Sequence, residues 1–332
     1  MVSGPAAGGT ASTAAHDREL RIVTDPTHGG RWTSLTTGAR EWLWQRPEPR
    51  RARVAPGDAF ADAGGLEECV PTVRGTPDHG DAWSRPWTRE GDTESVDWPG
   101  FRLTRRIRAG GATAVVDYRL RAEPGRRFVW AAHALLELSE QARVAAPAGT
   151  PVRLHPEAAP LLDAPWPAGD PWVTGAWPAP CGLPLDRFGP DDGTAVGAVL
   201  LTDAAEVHDG PDVLRMALHA PGQPTAVALW RNLGGFPAKA PYRSCGVEPM
   251  LGRCFALDDA GEGDAAVVPA SGEVRWRLTL TAPARTAAPR PPGRIPSPES
   301  ATAPSGPPGP APSRPTGPAT PPPHAPGRNP SQ

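Results

Sequence analysis

Two residues able to exchange protons lie within apolar stretches of the sequence. His133 lies in the run Phe128–Leu136, and Glu248 lies between Val247 and Pro249. A buried carboxylate is costly unless it is paired or functional, and burial raises its pKa toward values useful in a general base. A lone histidine in such a run is also typical of a core position, satisfied by a backbone carbonyl. Together the two residues predict an acid–base pocket.

The segment PDHGDAWSRPW, residues 77–87, combines an imidazole, two carboxylates, a guanidinium and two indoles. A loop that only joins two strands needs Gly, Pro, Asn or Asp for its backbone shape. The extra side chains either fill the edge of a core or line a pocket that holds a polar ligand between flat apolar faces. The chain has 12 tryptophans, and indoles both fill cores and stack on sugar rings, so this count fits both interpretations.

Alternating apolar and polar residues predict the strands that must position these groups. In FRLTRRIRAGGATAVVDYRLRA, residues 101–122, two alternating runs flank Gly110-Gly111, which predicts a hairpin with one solvated face. Further strands are predicted in ELRIVTD, GTAVGAVLLTD, DVLRMALHA, TAVALW and GEVRWRLTL. Prolines interrupt most candidate helical windows, so no helix longer than two turns is expected. We therefore predict an all-β fold, a large antiparallel β-sandwich.

Composition divides the chain into three parts. Residues 1–17 are rich in Gly, Ala, Ser and Thr, which predicts a flexible N-terminus. Residues 18–282 hold the alternating segments and form the predicted sandwich domain. Residues 283–332 are rich in proline and poor in large apolar side chains, so we expect a disordered tail, partly in the polyproline II conformation. Such a tail either docks an aromatic-grooved partner domain or is a solvated extension.

Charge and cysteine spacing exclude several classes of protein. The chain has 34 basic and 36 acidic residues, so there is no electrostatic case for binding nucleic acid or an anionic membrane. The N-terminus lacks the pattern of a signal peptide, and no apolar run approaches the roughly 20 residues of a membrane span. The four cysteines lack CxxC spacing, which favours a reduced, cytoplasmic chain over a disulfide framework or a zinc site.

Five segments carry a resemblance to a known family, in order and with approximate spacing. They are GGRWTSL, GGLEECVPTV, DHGDAWSRPW, VWAAHALL and GVEPM. This set resembles the aldose 1-epimerase (galactose mutarotase-like) family over most of residues 18–282. The resemblance implies a β-sandwich that binds a hexose in a groove on one sheet. Where better-known members have an N-R-I-A motif, this chain has Glu67 and Glu68, so it resembles a divergent branch.

The resemblance also implies roles for individual residues. Glu248 corresponds to the base that takes the proton of the anomeric hydroxyl, and His133 corresponds to the acid that protonates the ring oxygen. The remaining candidates are sugar-binding or groove-shaping residues: His79, Arg85, Trp83, Trp87, Trp130 and Glu68. General acid–base chemistry of this kind needs no metal and no organic cofactor. The implied partner is a small-molecule sugar.

Two other functions compete with this prediction. A carbohydrate-binding protein could keep the groove without turnover, and a lyase or hydrolase of oligosaccharides could use the same sandwich. The second class usually carries a helical toroid, and the sequence shows no sign of one. Other candidate residues receive simpler interpretations: we expect His155, His208 and His219 to face solvent, and Cys69 and Cys245 to be buried thiols.

Overall fold

The chain forms 20 β-strands within residues 19–282, the part of it that this computed structural model describes. In chain order they are β1 (Leu20–Asp25), β2 (Arg31–Thr37), β3 (Arg40–Glu41), β4 (Leu66–Cys69), β5 (Thr88–Glu90), β6 (Thr93–Trp98), β7 (Phe101–Gly110), β8 (Thr113–Ala122), β9 (Arg127–Phe128), β10 (Trp130–Leu136), β11 (Arg143–Ala145), β12 (Pro151–Leu154), β13 (Val173–Ala176), β14 (Thr194–Leu200), β15 (Ala204–Asp209), β16 (Asp212–His219), β17 (Thr225–Leu233), β18 (Arg243–Leu251), β19 (Ala266–Val267) and β20 (Glu273–Thr281).

Helical structure in the described residues is limited to five short 3₁₀ segments. They are Pro49–Arg53, Ala82–Ser84, Pro156–Leu161, Pro180–Gly182 and Leu257–Asp259. The prediction of no helix longer than two turns is therefore confirmed for residues 19–282, and none of these segments has the length and apolar character of a membrane span. The predictions of a flexible N-terminus at 1–17 and a disordered tail at 283–332 lie outside the described residues.

The strands form two large antiparallel sheets. The first has ten strands in the order β1-β2-β4-β10-β18-β17-β14-β12-β13, with β3 paired to β2. The second has eight strands in the order β11-β15-β16-β20-β8-β7-β6-β5. β9 and β19 form a separate two-stranded ladder. The predicted hairpin is β7 and β8, paired from Phe101 with Ala122 to Gly110 with Thr113.

Aromatic side chains from both sheets meet in the core between them. Tyr118 of β8 stacks on Trp276 of β20 with ring centroids 5.1 Å apart, and Trp130 of β10 packs 4.9 Å from Tyr118 and 5.1 Å from Trp276. All three are buried. Each aromatic side chain removes on the order of 150–250 Å² from water, so this contact contributes strongly to holding the sheets together. The prediction of a large antiparallel sandwich is confirmed.

A charged network also bridges the two sheets inside this core. Arg105 of β7 is fully buried and donates to Glu68 Oε1 at 2.6 Å, to Glu94 Oε2 at 2.8 Å and to the carbonyl oxygen of Gly30. Tyr118 Oη donates to Glu68 Oε1 at 2.9 Å, and Trp130 Nε1 donates to Oε2 at 2.7 Å. The buried charges are thus paired and hydrogen-bonded, which is the condition under which such groups are tolerated.

The ten-stranded sheet has one face toward this core and one face away from it. On β10, Trp130, Ala132, Ala134 and Leu136 pack in the core, because successive side chains of a strand point to opposite faces. Ala131 belongs to a second apolar cluster on the outer face. His133 has the same parity as Ala131 and therefore points outward.

Candidate active site

The outer face of the ten-stranded sheet carries a cavity of about 420 Å³. Its floor is formed by β10 and β18, where the pairs Ala131 with Met250 and Leu135 with Gly246 flank His133 and Glu248. These two residues therefore lie opposite each other on neighbouring central strands. The other polar side chains that line the cavity are Asp62, Arg74, Asp78, His79, Glu157 and Ser244. The apolar wall includes Phe60, Leu135, Trp230, Phe236, Tyr242 and Phe255.

His133 and Glu248 are close but not hydrogen-bonded to each other. His133 Nε2 lies 3.8 Å from Glu248 Oε1, beyond hydrogen-bond length, so each group is able to contact a ligand atom. Burial raises the pKa of Glu248, against the opposing effects of His133 and Arg74. Burial also lowers the pKa of His133, against the opposing effect of the Glu248 carboxylate. Glu248 is therefore a stronger base, and protonated His133 a stronger acid, than the same groups in water.

Gly246 leaves space on the outer face of β18 for the Glu248 carboxylate. The two residues are separated by two positions on β18, so they share the outer face of the sheet. A Cβ atom at position 246 would collide with Glu248 Oε1. The absence of a side chain there allows the carboxylate to lie back along its own strand, beside His133.

His79 reaches the cavity from a tight turn next to β4. Its φ is +59°, in the left-handed region that few side chains adopt, and its backbone N–H donates to the Val73 carbonyl at 2.9 Å. The imidazole stacks on Phe60 with ring centroids 3.6 Å apart and meets the ring of His133 edge-on at 5.0 Å. Its Nδ1 lies 3.1 Å from Asp78 Oδ1. Strained backbone of this kind is found where surrounding structure fixes a functional side chain.

Substituting Gly80 with alanine is expected to destabilise the turn that holds His79. Gly80 has a φ of +75°, and an added Cβ would overlap the Val70 carbonyl and lie 2.7 Å from the Val70 nitrogen. We expect a loss of about 1–3 kcal/mol in the free energy of unfolding. Gly91→Ala is the matched control, since Gly91 has a φ of +62° but open space around it. Urea unfolding measures both variants, and equal losses would contradict the close-approach argument.

The far rim of the cavity is a loop that connects β17 to β18 and carries Phe236 and Tyr242. Asn232 of β17 anchors it from a buried position: Nδ2 donates to the carbonyl oxygens of Phe236 at 2.9 Å and Tyr242 at 2.8 Å. Its Oδ1 accepts from the backbone nitrogens of Gly235 and Phe236, both at 3.0 Å. One amide side chain thus sets the path of the rim loop. Trp230 packs edge-on against Phe236 at 5.7 Å.

Of the residues predicted from the sequence, the structure brings three to the cavity: His79, His133 and Glu248. Trp83 lies directly behind the wall, fully buried, with its ring 4.9 Å from that of Phe60. Arg85 does not line the cavity and pairs instead with Asp81, with Nη2 3.2 Å from Oδ1. The predicted loop therefore contributes one lining imidazole and a supporting indole.

Glu68, Trp87 and Trp130 lie on the core side of the sheet, which corrects their interpretation as sugar contacts. Glu68 and Trp130 belong to the network around Arg105. Trp87 is buried, with the Arg105 guanidinium 4.5 Å from its ring. For Trp130 and Glu68 the physical reason is strand alternation, because Trp130 lies three positions from His133 and Glu68 lies one position from Glu67, which pairs with His133 across the strands.

One residue beside the site and one earlier expectation complete this comparison. Glu67 is buried and forms a bidentate ion pair with Arg51, from Nε to Oε1 at 2.8 Å and from Nη2 to Oε2 at 3.0 Å. His155 is buried behind Phe255 with ring centroids 4.4 Å apart, so the expectation that it faces solvent is wrong. Burial lowers the pKa of His155 to about 3. Cys69 and Cys245 are buried thiols, as predicted.

Sequence patterns did not identify most of the acidic and aromatic lining. Asp62 and Phe60 come from the irregular segment before β4, and Glu157 comes from a 3₁₀ segment after β12. Trp230 and Phe236 lie in the segment LWRNLGGFP, residues 229–237, which covers the end of β17 and the start of the loop that follows it.

No protein-family model and no curated protein matches the sequence. Solved structures do match. A galactose mutarotase-like protein from Lactobacillus casei aligns over 80% of this chain and 97% of its own, with 15% identity and a TM-score of 0.52. A galactose mutarotase related enzyme from Lactobacillus acidophilus aligns over 81% and 96%, with 13% identity and a TM-score of 0.54. The chain has the galactose mutarotase-like fold.

A third structure agrees with this assignment of the fold. A candidate aldose 1-epimerase from Escherichia coli K12 aligns over 80% of this chain and 96% of its own, with 15% identity and a TM-score of 0.56. The resemblance noted from five sequence segments is thus confirmed for the galactose mutarotase-like fold. One fold hosts many activities, so the chemistry of a protein with this fold depends on its cavity and the residues that line it.

Proposed function

We propose that this protein is an aldose 1-epimerase-like isomerase that interconverts the anomers of a sugar. The observation that carries the proposal is the pair His133 and Glu248, which face one cavity from opposite positions on neighbouring strands. Their separation of 3.8 Å suits two oxygens bound to one carbon, the anomeric hydroxyl and the ring oxygen. The galactose mutarotase-like fold of the chain supports the same proposal.

The chemistry requires one proton to be removed and one to be donated. Glu248 takes the proton of the anomeric hydroxyl while His133, protonated, donates a proton to the ring oxygen. The bond between the anomeric carbon and the ring oxygen breaks, and the hydroxyl oxygen becomes the carbonyl oxygen of an open-chain aldehyde. Rotation about the adjacent carbon–carbon bond presents the other face, and the reverse proton transfers close the ring. Each transfer contributes about 10²–10⁴-fold to the rate.

The surroundings of the pair suit this reaction. His79 lies 5.0 Å from His133, between ring centroids, and offers an imidazole nitrogen to a sugar hydroxyl. Phe60, Trp230 and Phe236 give flat apolar surfaces for the C–H faces of a sugar ring. Both reacting side chains lie on strands in the middle of the large sheet, which fixes them without a conformational change.

The pH dependence of the rate is expected to be a narrow bell. Activity rises as Glu248 loses its proton, at a pH above the ordinary range for glutamate because burial raises its pKa. Activity falls as His133 loses its proton, at a pH below the ordinary range for histidine because burial lowers its pKa. Because Glu248 and His133 interact, the two apparent pKa values of the pH profile belong to the pair and not to either residue alone. Initial rates measured across pH with a neutral sugar test this, and a rate without an acid limb would contradict it.

Polarimetry or NMR of freshly dissolved α-D-glucose and α-D-galactose tests the proposed function. We expect the protein to accelerate equilibration of at least one sugar, and we expect the double variant His133→Ala/Glu248→Gln to show only the uncatalysed rate. Asp97→Asn, an exposed change on the other sheet, serves as the control and should keep full activity. Sugar binding without acceleration by the wild type would instead indicate a carbohydrate-binding protein.

A further inference from the structure

Negative charge exceeds positive charge among the side chains that line the cavity. Four carboxylates face it: Asp62, Asp78, Glu157 and Glu248. Arg74 is the one guanidinium in the lining that the structure describes, and its Nη1 lies 2.7 Å from Glu157 Oε1. The positive charge of Arg74 is therefore already balanced by a carboxylate inside the site. Three carboxylates remain, and protonated His133 balances at most one of them, Glu248, so the lining keeps an excess of negative charge.

The excess carboxylates have oxygen positions free to accept from a ligand. Asp62 accepts from Tyr242 Oη at 2.6 Å and from the Gly64 nitrogen at 2.9 Å, which leaves lone pairs on both oxygens. The Asp78 side chain is 53% exposed and touches His79 through one oxygen. These oxygens are acceptors that a charged donor would satisfy.

The apolar wall of the cavity further favours a positively charged ligand group. Phe60, Trp230 and Phe236 form apolar walls of the cavity, and low-dielectric walls focus the field of a charged lining into a cleft. Aromatic faces also attract cations. The nearby guanidinium of Arg46 lies 4.2 Å from the ring centroid of Tyr242 but does not line the cavity. A phosphate or carboxylate would meet repulsion here, whereas an ammonium group would meet acceptors and aromatic faces.

We propose that this cavity selects sugars carrying an amino group over neutral sugars, and that it excludes sugars carrying a phosphate or a carboxylate. The proposal rests on the proposed function for the identity of the ligand as a sugar. It depends on the charge of the lining and not on turnover. An ammonium in place of one sugar hydroxyl is expected to tighten binding by about tenfold at low ionic strength.

Three sugars of similar shape test the charge preference directly. Dissociation constants are measured by NMR titration for D-glucosamine, D-glucose and D-glucose 6-phosphate, below the pH at which the amine loses its proton. We expect glucosamine to bind about tenfold more tightly than glucose, and glucose 6-phosphate to bind at least tenfold more weakly. Added salt should reduce the glucosamine preference while leaving glucose binding unchanged, because salt screens charge.

Variants locate the effect in the cavity. Asp78→Asn removes a half-exposed charge, so the fold should tolerate it, and we expect the glucosamine-to-glucose preference to fall several-fold. Glu157→Gln leaves Arg74 unbalanced, and we expect binding of glucose 6-phosphate to improve. Asp97→Asn removes an exposed carboxylate from the other sheet and should change neither preference.

The outcomes separate this proposal from the proposed function. If no sugar equilibrates faster but glucosamine binds more tightly than glucose, the isomerase activity fails and the charge selection stands. If glucose 6-phosphate binds as tightly as glucose, or if glucosamine does not bind, the charge selection is overturned whether or not the protein is a catalyst. An equal loss of preference in Asp97→Asn would assign the effect to net charge and would also overturn it.

Discussion

Glu248→Gln is expected to slow catalysed anomer interconversion by about 10²–10⁴-fold, because the amide cannot take the proton of the anomeric hydroxyl. The substitution keeps the size of the side chain. It also removes a buried negative charge from the side chain that occupies the space over Gly246, so the fold should be retained. Initial rates from polarimetry, together with thermal unfolding of the same samples, separate loss of chemistry from loss of structure.

His133→Ala should give a loss of similar size, and combining the two changes should cost little more than one alone. Residues that act as a unit in catalysis are strongly non-additive, because the second group has little to do once the first is gone. Two independent losses that multiply in the double variant would contradict a concerted acid–base pair. A Glu248→Gln variant with wild-type rate would exclude Glu248 as the base.

Arg105→Met is expected to lower the free energy of unfolding by about 3–5 kcal/mol, the largest effect on stability that we predict. Arg105 is fully buried and pairs with both Glu68 and Glu94, so its removal leaves carboxylates in the core without a positive partner. Tyr118 and Trp130 would still donate to Glu68, which offsets part of the cost. The cavity lies on the outer face of the ten-stranded sheet, whereas Arg105 lies in the core between the two sheets. The variant therefore tests the scaffold separately from the site.

Urea unfolding measures this effect, and the same strand supplies the control. Arg102 is on the outer face of β7, half-exposed, with Nη1 3.1 Å from Asp97 Oδ2. Arg102→Met should cost less than about 1 kcal/mol, since exposed ion pairs contribute little. Adding Glu68→Gln to Arg105→Met should recover part of the lost stability, because it removes one buried carboxylate that has no positive partner. Equal stability of the Arg105→Met and Arg102→Met variants would show that the buried network is not a major stabilising feature.

Alternation along the chain predicted much of the fold. The hairpin of β7 and β8 and strands β1, β14, β16, β17 and β20 were all indicated by period-two patterns or short apolar runs. The pattern did not predict the content of the core, because Arg105 shares its parity with Phe101 and Leu103 and is buried with them. A buried arginine depends on partners from another sheet, and no local pattern in the sequence indicates which residues those are.

The candidate site was only partly predictable for the same reason. His133 and Glu248 stood out because ionisable residues in apolar runs are costly, and that cost is a local property. Strand parity along β10 and β4 is enough to separate Trp130 and Glu68 from the face that carries His133. Asp62 lies in an irregular segment and Glu157 in a 3₁₀ segment far from it in the chain, and only the tertiary fold brings them to one cavity.

The division of the cavity between strands and connecting segments has a consequence for how this protein could be re-engineered. The proposed acid and base belong to the framework, whereas Phe60, Asp62, Asp78, Phe236 and Tyr242 belong to segments between strands. Ligand preference can therefore drift or be redesigned by exchanging connecting segments while the reacting pair keeps its place. Libraries confined to residues 54–62 and 234–242, with Asn232 retained as the anchor of the second segment, are the natural starting point for recoding specificity.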